Sequence, residues 1–119
     1  MSRVMVEGFD SLFALGLRDI LTDDDVEFCG SGRDGVVARL RRTVPDVVLL
    51  NSALPTTPEV VAQLVHHHPG ITVITCSSDE HVMRVYPAHH SGESFHRPLE
   101  ATEIGRQVHG ASAGRTPND

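Results

Sequence analysis

The chain has 119 residues, a formal net charge of −6 and 39% hydrophobic residues. This length suits one domain with a single core, and the acidic balance argues against a nucleic-acid surface, which needs a basic face. No apolar run approaches the roughly 20 residues that span a bilayer, and Met1–Val4 lacks the layout of a signal peptide. We therefore expect a cytoplasmic protein that contacts neither membrane nor nucleic acid directly.

The first half of the chain alternates short apolar strands with helices. Arg3–Glu7 predicts a first strand, and apolar residues at helical spacing from Phe9 to Leu21 predict a helix with one buried stripe. A second strand is expected at Val26–Cys29, and a loop and second helix follow between Gly30 and Leu40. With four Phe, one Tyr and no Trp in the chain, the core that these elements build has to be aliphatic.

The middle of the chain contains the most apolar strand. The segment from Pro45 to Asn51 has the continuous pattern of a buried parallel strand and ends on one polar side chain. Thr57 as N-cap and Pro58 at the first helical position predict the start of a third helix. Ile71–Cys76 then predicts the fourth strand.

The last part of the chain gives weaker signals. The segment from Ser77 to Tyr86 predicts a fourth helix, which Pro87 should shorten or kink because it removes an amide donor. Glu93–His96 predicts a weak fifth strand, and a last helix runs through Ala101, Ile104 and Val108.

These elements predict an α/β fold with a doubly wound, five-stranded parallel sheet. The expected strand order is the flavodoxin-like 2-1-3-4-5, with helices on both faces. We assign residues 1–109 to this domain and residues 110–119, which are small and polar, to a disordered C-terminal tail.

Several motifs in this order resemble the receiver domains of two-component response regulators, particularly those of helix-turn-helix regulators. The resemblance covers residues 3–108 and rests on Gly16-Leu17-Arg18, Pro45–Asn51 with Ala53-Leu54-Pro55, Val73-Ile74-Thr75, and Arg97-Pro98. It implies a CheY-like fold, with the functional residues at the carboxyl ends of the strands.

The resemblance places Asn51 where receivers carry the aspartate that accepts a phosphoryl group. A carboxamide cannot form an acyl phosphate, so we expect a degenerate domain whose central reaction is disabled. Arg97 stands at the family's lysine, Thr75 at its hydroxyl residue, and Ser94 at the aromatic switch position. The vestigial phosphorylation pocket then consists of Glu7, Asp10, Asn51, Thr75 and Arg97.

Each of these residues also has a simpler interpretation. Glu7 and Asp10 could be a solvent-exposed acid and a helix cap, and Thr75 could cap the fourth strand. The planar fork of Arg97 suits a fixed pairing with one of the two acids or with a backbone carbonyl. Because the bond before Pro98 is cis in many receivers, the resemblance also predicts a cis bond here.

The sequence favours neither a metal site nor an enzyme. Mg²⁺ usually needs one or two carboxylates, and the neutral Asn51 leaves too few. His66, His67 and His68 are consecutive and point in different directions on a helix, while Cys29 and Cys76 should be free thiols. No phosphate-binding loop of the G-x-x-x-x-G-K-[ST] type is present. We expect no cofactor, no metal and no catalytic residue.

The resulting functional hypothesis is a phosphorylation-independent regulatory module in bacterial signalling or transcription control. It would bind a protein partner or form a homodimer through the face of helix four, strand five and helix five. The predicted interface residues are Val82, Val85, Tyr86, Ile104 and Val108. Two alternatives remain open: a sensor that binds a small metabolite or anion in the vestigial pocket, and a conventional phosphorelay receiver with an introduced Asp-to-Asn change.

Overall fold

The computed structural model describes residues 3–22, 25–29, 40, 44–90 and 92–113. Its strands are β1 Arg3–Glu7, β2 Asp25–Cys29, β3 Val47–Asn51, β4 Thr72–Cys76, β5 Val82–Tyr86 and β6 Phe95–Pro98. Its helices are α1 Ser11–Ile20, α2 Thr57–His67 and α3 Ala101–Ala113. The helix that the sequence predicts between Gly30 and Leu40 lies outside the described residues, except for Leu40, which is helical and buried.

The described strands form one mixed sheet in the order β2-β1-β3-β4-β5-β6. The pairs β1–β2, β1–β3 and β3–β4 are parallel, whereas β4–β5 and β5–β6 are antiparallel. The predicted flavodoxin-like sheet of five parallel strands is therefore wrong. The described sheet has six strands, and the additional one, β5, is antiparallel to both of its neighbours, β4 and β6.

The additional strand arises from the segment predicted as the fourth helix. Val82, Val85 and Tyr86 have helical spacing, but the residues between them fit a strand equally well. Met83 and Val85 are buried while Val82 and Arg84 are exposed, which is the alternation of a half-covered strand. A short apolar run cannot be assigned by periodicity alone, and β-branched and aromatic residues favour the strand.

Helices cover both faces of the sheet and create two apolar layers. α1 and α3 pack on one face, where Leu17, Leu21, Ile104 and Val108 meet buried residues of β1, β3, β4 and β5. α2 packs on the other face through Val60 and Leu64, and Leu40 lies in the same layer. Full burial of a Val or Leu side chain contributes roughly 1.5–3 kcal/mol, so these layers hold the strand ends in place.

Element boundaries differ from the predicted ones in two helices. The N-cap of α2 is Thr56 and not Thr57, and it makes no side-chain capping bond. α3 continues to Ala113, so it includes the start of the segment predicted as a tail. Among the described residues, no helix combines the length and apolarity that crossing a membrane requires.

The predicted cis bond before Pro98 is also wrong, because the bond between Arg97 and Pro98 is trans. A trans bond keeps this segment extended, so that Arg97 pairs with Met83 and Pro98 pairs with Val82. Within the described sheet β6 is an edge strand, which is where proline is tolerated despite its missing amide hydrogen.

Candidate functional site at the carboxyl ends of the parallel strands

Asn51, the last residue of β3, connects two loops through its side chain. Its Nδ2 donates to the carbonyl oxygen of Gly8 at 2.9 Å. Its Oδ1 accepts a hydrogen bond from the backbone N–H of Ala53, also at 2.9 Å. Both ends of the carboxamide are therefore occupied, and the loop after β1 is held against the loop after β3.

Gly8 makes this contact possible. Its φ of +85° lies in the left-handed region, and a Cβ atom at this position would lie 2.5 Å from Cδ1 of Leu54. Only glycine adopts this conformation without strain while leaving space for Leu54. The backbone can therefore approach Asn51 closely, and the amide fills the space at the end of β3.

Glu7 lies at the end of β1 and is only 3% exposed. Among the described residues, neither of its carboxyl oxygens has a hydrogen-bond partner. Burial raises the pKa of this carboxyl from 4.5 to about 7, because a charged group is poorly solvated away from water. The interpretation of Glu7 as a solvent-exposed acid is wrong.

Asp10 is the N-cap of α1. Its carboxylate accepts a hydrogen bond from the backbone N–H of Phe13 at 2.8 Å, which satisfies one of the free donors at the helix start. The interpretation of Asp10 as a helix cap is confirmed. Its carboxylate is thus directed along α1, whereas Glu7 is buried in the strand.

Thr75 lies beside β3 but on the other face of the sheet from Asn51. In the register of β3 and β4, Asn51 is opposite Cys76, and Thr75 is opposite Leu50. Because neighbouring positions along a strand point to opposite faces, the Asn51 amide and the Thr75 hydroxyl leave the sheet in different directions. Thr75 is 8% exposed and borders a groove next to α2.

Arg97 is not close to Asn51. It lies in β6, which β4 and β5 separate from β3, so the lateral distance is about 14 Å at the usual strand spacing of about 4.8 Å. Its guanidinium donates to the carbonyl oxygen of His96 at 3.0 Å and lies 4.5 Å from the ring centre of Phe95. Of the partners considered for Arg97, namely Glu7, Asp10 and a backbone carbonyl, the structure shows pairing with a backbone carbonyl.

The predicted interface residues do not form one surface. Val85, Ile104 and Val108 are buried in the core, whereas Val82 is exposed and Tyr86 is partly buried. No helix is formed at Val82–Tyr86, so the predicted face with helix four does not exist. Ser94, the predicted switch position, is exposed and accepts a hydrogen bond from Arg84 at 3.4 Å.

Sequence reasoning missed a group of hydroxyl residues at the same end of the sheet. The hydroxyls of Ser52 and Ser77 donate to the same oxygen of Glu80, at 2.5 and 3.2 Å. The hydroxyl of Thr57 donates to the carbonyl oxygen of Asn51 at 2.5 Å. A signal was present, since Ser52 and Ser77 each directly follow a predicted strand.

The described residues provide little for catalysis or metal binding at this end of the sheet. Burial, followed by the nearby charge of Glu80, raises the pKa of the Cys76 thiol to about 12, so the reactive thiolate is scarce at neutral pH. No group of three His, Cys, Asp or Glu side chains within the described part of the chain could hold a metal ion. The arrangement joins loops and does not supply a nucleophile.

Two grooves open beside this end of the sheet, on opposite faces. The α1–α3 groove encloses about 590 Å³ and is lined by Asp10, Leu12, Phe13, Gly16, Leu17, Ile20, Ser78, Glu80, Leu99, Glu100, Ala101 and Ile104. The α2–β5 groove encloses about 250 Å³ and is lined by Ser52, Thr57, Pro58, Val61, Thr75, Arg84 and Tyr86.

In comparisons with protein-family models, curated proteins and solved structures, nothing matches this chain. The resemblance to receiver domains therefore rests on the motif residues alone. What the protein does has to be inferred from its own surfaces.

Proposed function

We propose that the chain is a regulatory protein-interaction module of bacterial signal transduction or transcription control, located in the cytoplasm, that works without phosphorylation. The observation that carries this proposal is the α1–α3 groove, whose mouth contains the exposed side chain of Leu12. The motif residues that resemble receiver domains support a regulatory role. The Asn51 carboxamide, with both ends in hydrogen bonds, supports a function that does not need phosphorylation.

The α1 helix presents apolar side chains to solvent. Leu12 is 82% exposed and Leu15 is 58% exposed, although both belong to a helix whose opposite side enters the core. Gly16 completes the same face, and a Cβ atom there would meet nothing within 4 Å. A glycine inside a helix costs roughly 0.5–1 kcal/mol relative to alanine, and this space would admit the close approach of another helix.

The charge around the groove defines the partner that fits it. Asp10, Glu80 and Glu100 line the groove beside its apolar residues, and the whole chain carries a net charge of −6. An apolar groove with an acidic rim complements an amphipathic helix with leucine-like anchors and basic residues at its edge. We therefore assign the groove to a basic amphipathic helix of a partner protein.

The surroundings of Asn51 support a mechanism based on docking. A carboxamide cannot be phosphorylated to an acyl phosphate, and here both its ends already make hydrogen bonds. Glu7 is buried and has a raised pKa, while Asp10 caps α1, so neither acid is placed as a free ligand for Mg²⁺. Signals would pass through the groove and its occupant.

A binding assay with defined peptides tests the docking proposal. The probe is a labelled amphipathic helical peptide of leucine and lysine, compared with a peptide that keeps the leucines and replaces lysine by glutamate. We expect the basic peptide to bind better. Leu12 lines the groove, and Leu15 lies outside it, one turn further along the exposed side of α1. We expect Leu12→Ser with Leu15→Ser to weaken the binding of this peptide at least tenfold. Val44→Ser is the matched control because Val44 is 55% exposed and lies outside the groove.

Three results would contradict the proposal in different ways. Equal binding of both peptides to all variants would remove the groove as a docking site. A dimer of the wild-type chain in light scattering, converted to a monomer by the Leu12 and Leu15 substitutions, would instead assign the groove to a second copy. Treatment with acetyl phosphate and Mg²⁺ followed by mass spectrometry tests the other part, and a phosphorylated wild-type chain would refute it.

A further inference from the structure

The α2–β5 groove contains a cation that no carboxylate balances. Arg84 is exposed on the face of β5 opposite the buried Met83 and Val85. Its guanidinium contacts the hydroxyl of Ser94 at 3.4 Å and the Nε2 atom of His96 at 3.1 Å, and neither group is an anion. Among the described residues, no carboxylate lies within ion-pair distance of Arg84.

Thr75 adds a hydroxyl group to the lining of the same groove. Thr75 is directly opposite Arg84 in the antiparallel register of β4 and β5, so their Cβ atoms are about 4.5–5.5 Å apart on the same face. Thr75 is more than nine-tenths buried and lines the groove.

Tyr86 adds a third donor. It lies two positions along β5 from Arg84, therefore on the same face, and it lines the same groove. Other hydroxyls at the groove are already used, since Thr57 donates to the carbonyl of Asn51 and Ser52 donates to Glu80. The donors that remain for a ligand are the hydroxyls of Thr75 and Tyr86 and those N–H groups of Arg84 that Ser94 and His96 do not use.

We propose that the α2–β5 groove is a binding site for a small oxyanion, namely the phosphate or carboxylate group of a metabolite, held by Arg84, Thr75 and Tyr86. A guanidinium fork forms two parallel hydrogen bonds with such a group. A groove of about 250 Å³ accommodates a phosphate with a short organic part.

This site is distinct from the Asn51 amide and from the α1–α3 groove. Asn51 and Thr75 point to opposite faces of the sheet, and Arg97 lies on β6 beside Phe95. The proposal is therefore independent of the docking function, and either one can fail without the other. It depends on β5 being a strand, because that places Arg84 opposite Thr75.

Tyr86 provides a direct measurement of binding at this groove. It is the only tyrosine in a chain without tryptophan, so the intrinsic fluorescence of the protein reports on this groove. The experiment titrates inorganic phosphate, glycerol phosphate and acetate into the full chain, with ionic strength held constant by sodium chloride. Phosphate binding with acetate inactive identifies a phosphate site, whereas acetate binding of equal strength identifies a general oxyanion site.

Three variants decide whether the groove is responsible. We expect Arg84→Gln and Thr75→Val each to weaken phosphate binding at least tenfold, and Arg97→Gln, with the same change in charge, to leave it within twofold. If Arg97→Gln weakens binding as much as Arg84→Gln does, the effect comes from the net charge of the protein and not from the groove, and the proposal is overturned. No saturable change below about 10 mM for any of the three anions would overturn it as well. Circular dichroism verifies folding, and Thr75→Val keeps the test valid if Arg84→Gln fails to fold.

Discussion

The parallel side of the sheet, β2-β1-β3-β4, and the antiparallel side, β5-β6, differ in how far their strands are covered by other residues. In β3, on the parallel side, Val47, Val48, Leu49 and Leu50 are all buried, so both faces of this strand are covered. In β5, on the antiparallel side, burial alternates and Arg84 remains exposed. Strands buried on both faces read as continuous apolar runs, whereas half-covered strands alternate.

The polar groups on the two sides also differ in whether they find partners within the chain. On the parallel side, the Asn51 carboxamide uses both of its ends within the chain. On the antiparallel side, Arg84 and Thr75 face each other in a groove without an anion among the described residues. The capacity to bind a ligand thus lies where a strand has replaced the expected helix.

The strand at Val82–Tyr86 is the feature on which this comparison depends, and paired alanine substitutions test it. Met83 is fully buried and Val82 is 45% exposed. We expect Met83→Ala to lower the free energy of unfolding by about 2–5 kcal/mol because it leaves a cavity, and Val82→Ala to lower it by less than about 1 kcal/mol. Urea denaturation measures both values.

A fourth helix in this segment would reverse the order of the two effects. In the helical assignment Val82, Val85 and Tyr86 form the packed stripe, and Met83 lies beside it. A larger loss for Val82→Ala than for Met83→Ala would therefore contradict the antiparallel half of the sheet, and with it the position of Arg84 opposite Thr75.

The sequence predicted the parallel side better than the antiparallel side, for a physical reason. Arg3–Glu7 has the apolar centre Val4–Val6, the strand ending at Asn51 has a longer apolar run, and the carboxyl ends of both segments agree with those of β1 and β3. Val82–Tyr86 fits both periodicities, and the choice between them depends on whether β4 accepts an antiparallel neighbour. The partners of β5 are Val73, Ile74 and Thr75 of β4. The spacing of apolar residues within Val82–Tyr86 contains no information about that neighbour, so periodicity alone could not identify the pairing.

Glu7 tests the parallel side, where a carboxyl is buried without a described partner. Its pKa is about 7 in the folded chain and 4.5 in the unfolded chain, so the unfolded state binds fewer protons between these values and stability falls as the pH rises. Below pH 4.5 the carboxyl is protonated in both states and there is no loss. Above pH 7 the loss is complete, at about 3 kcal/mol.

The matched variant for this measurement is Glu7→Gln, which keeps the shape and removes the charge. We expect both chains to have similar free energies of unfolding at pH 4, and the variant to be more stable by about 3 kcal/mol at pH 8. Groups that are common to both chains cancel in the difference. A constant difference from pH 4 to pH 8 would mean that Glu7 is solvated or paired.

The candidate site was predicted only in part, because the additional strand β5 changes the distance between Asn51 and Arg97. Asn51 could be located from the polar residue that ends an apolar run, and it lies at the carboxyl end of β3. Arg97 was grouped with it because Arg97-Pro98 resembles the Lys-Pro of receiver domains, at the end of an expected fifth parallel strand. The insertion of β5 moves Arg97 one strand further away and places Arg84, which no motif singles out, beside Thr75.

Asn51 gives the smallest expected effect and tests the other half of the comparison, namely that its amide is a structural connection. Asn51→Ala removes the hydrogen bonds to Gly8 and from Ala53, each of which contributes about 0.5–1.5 kcal/mol, so we expect a loss of about 1–2 kcal/mol. Asn51→Asp keeps the acceptor for Ala53, and once ionised it has no donor for the carbonyl of Gly8, so at pH 8 we expect a loss about half as large. If both substitutions leave the unfolding free energy unchanged, the amide does not connect the two loops, and the contrast between Asn51, which is used within the chain, and Arg84, which has no described carboxylate partner, disappears.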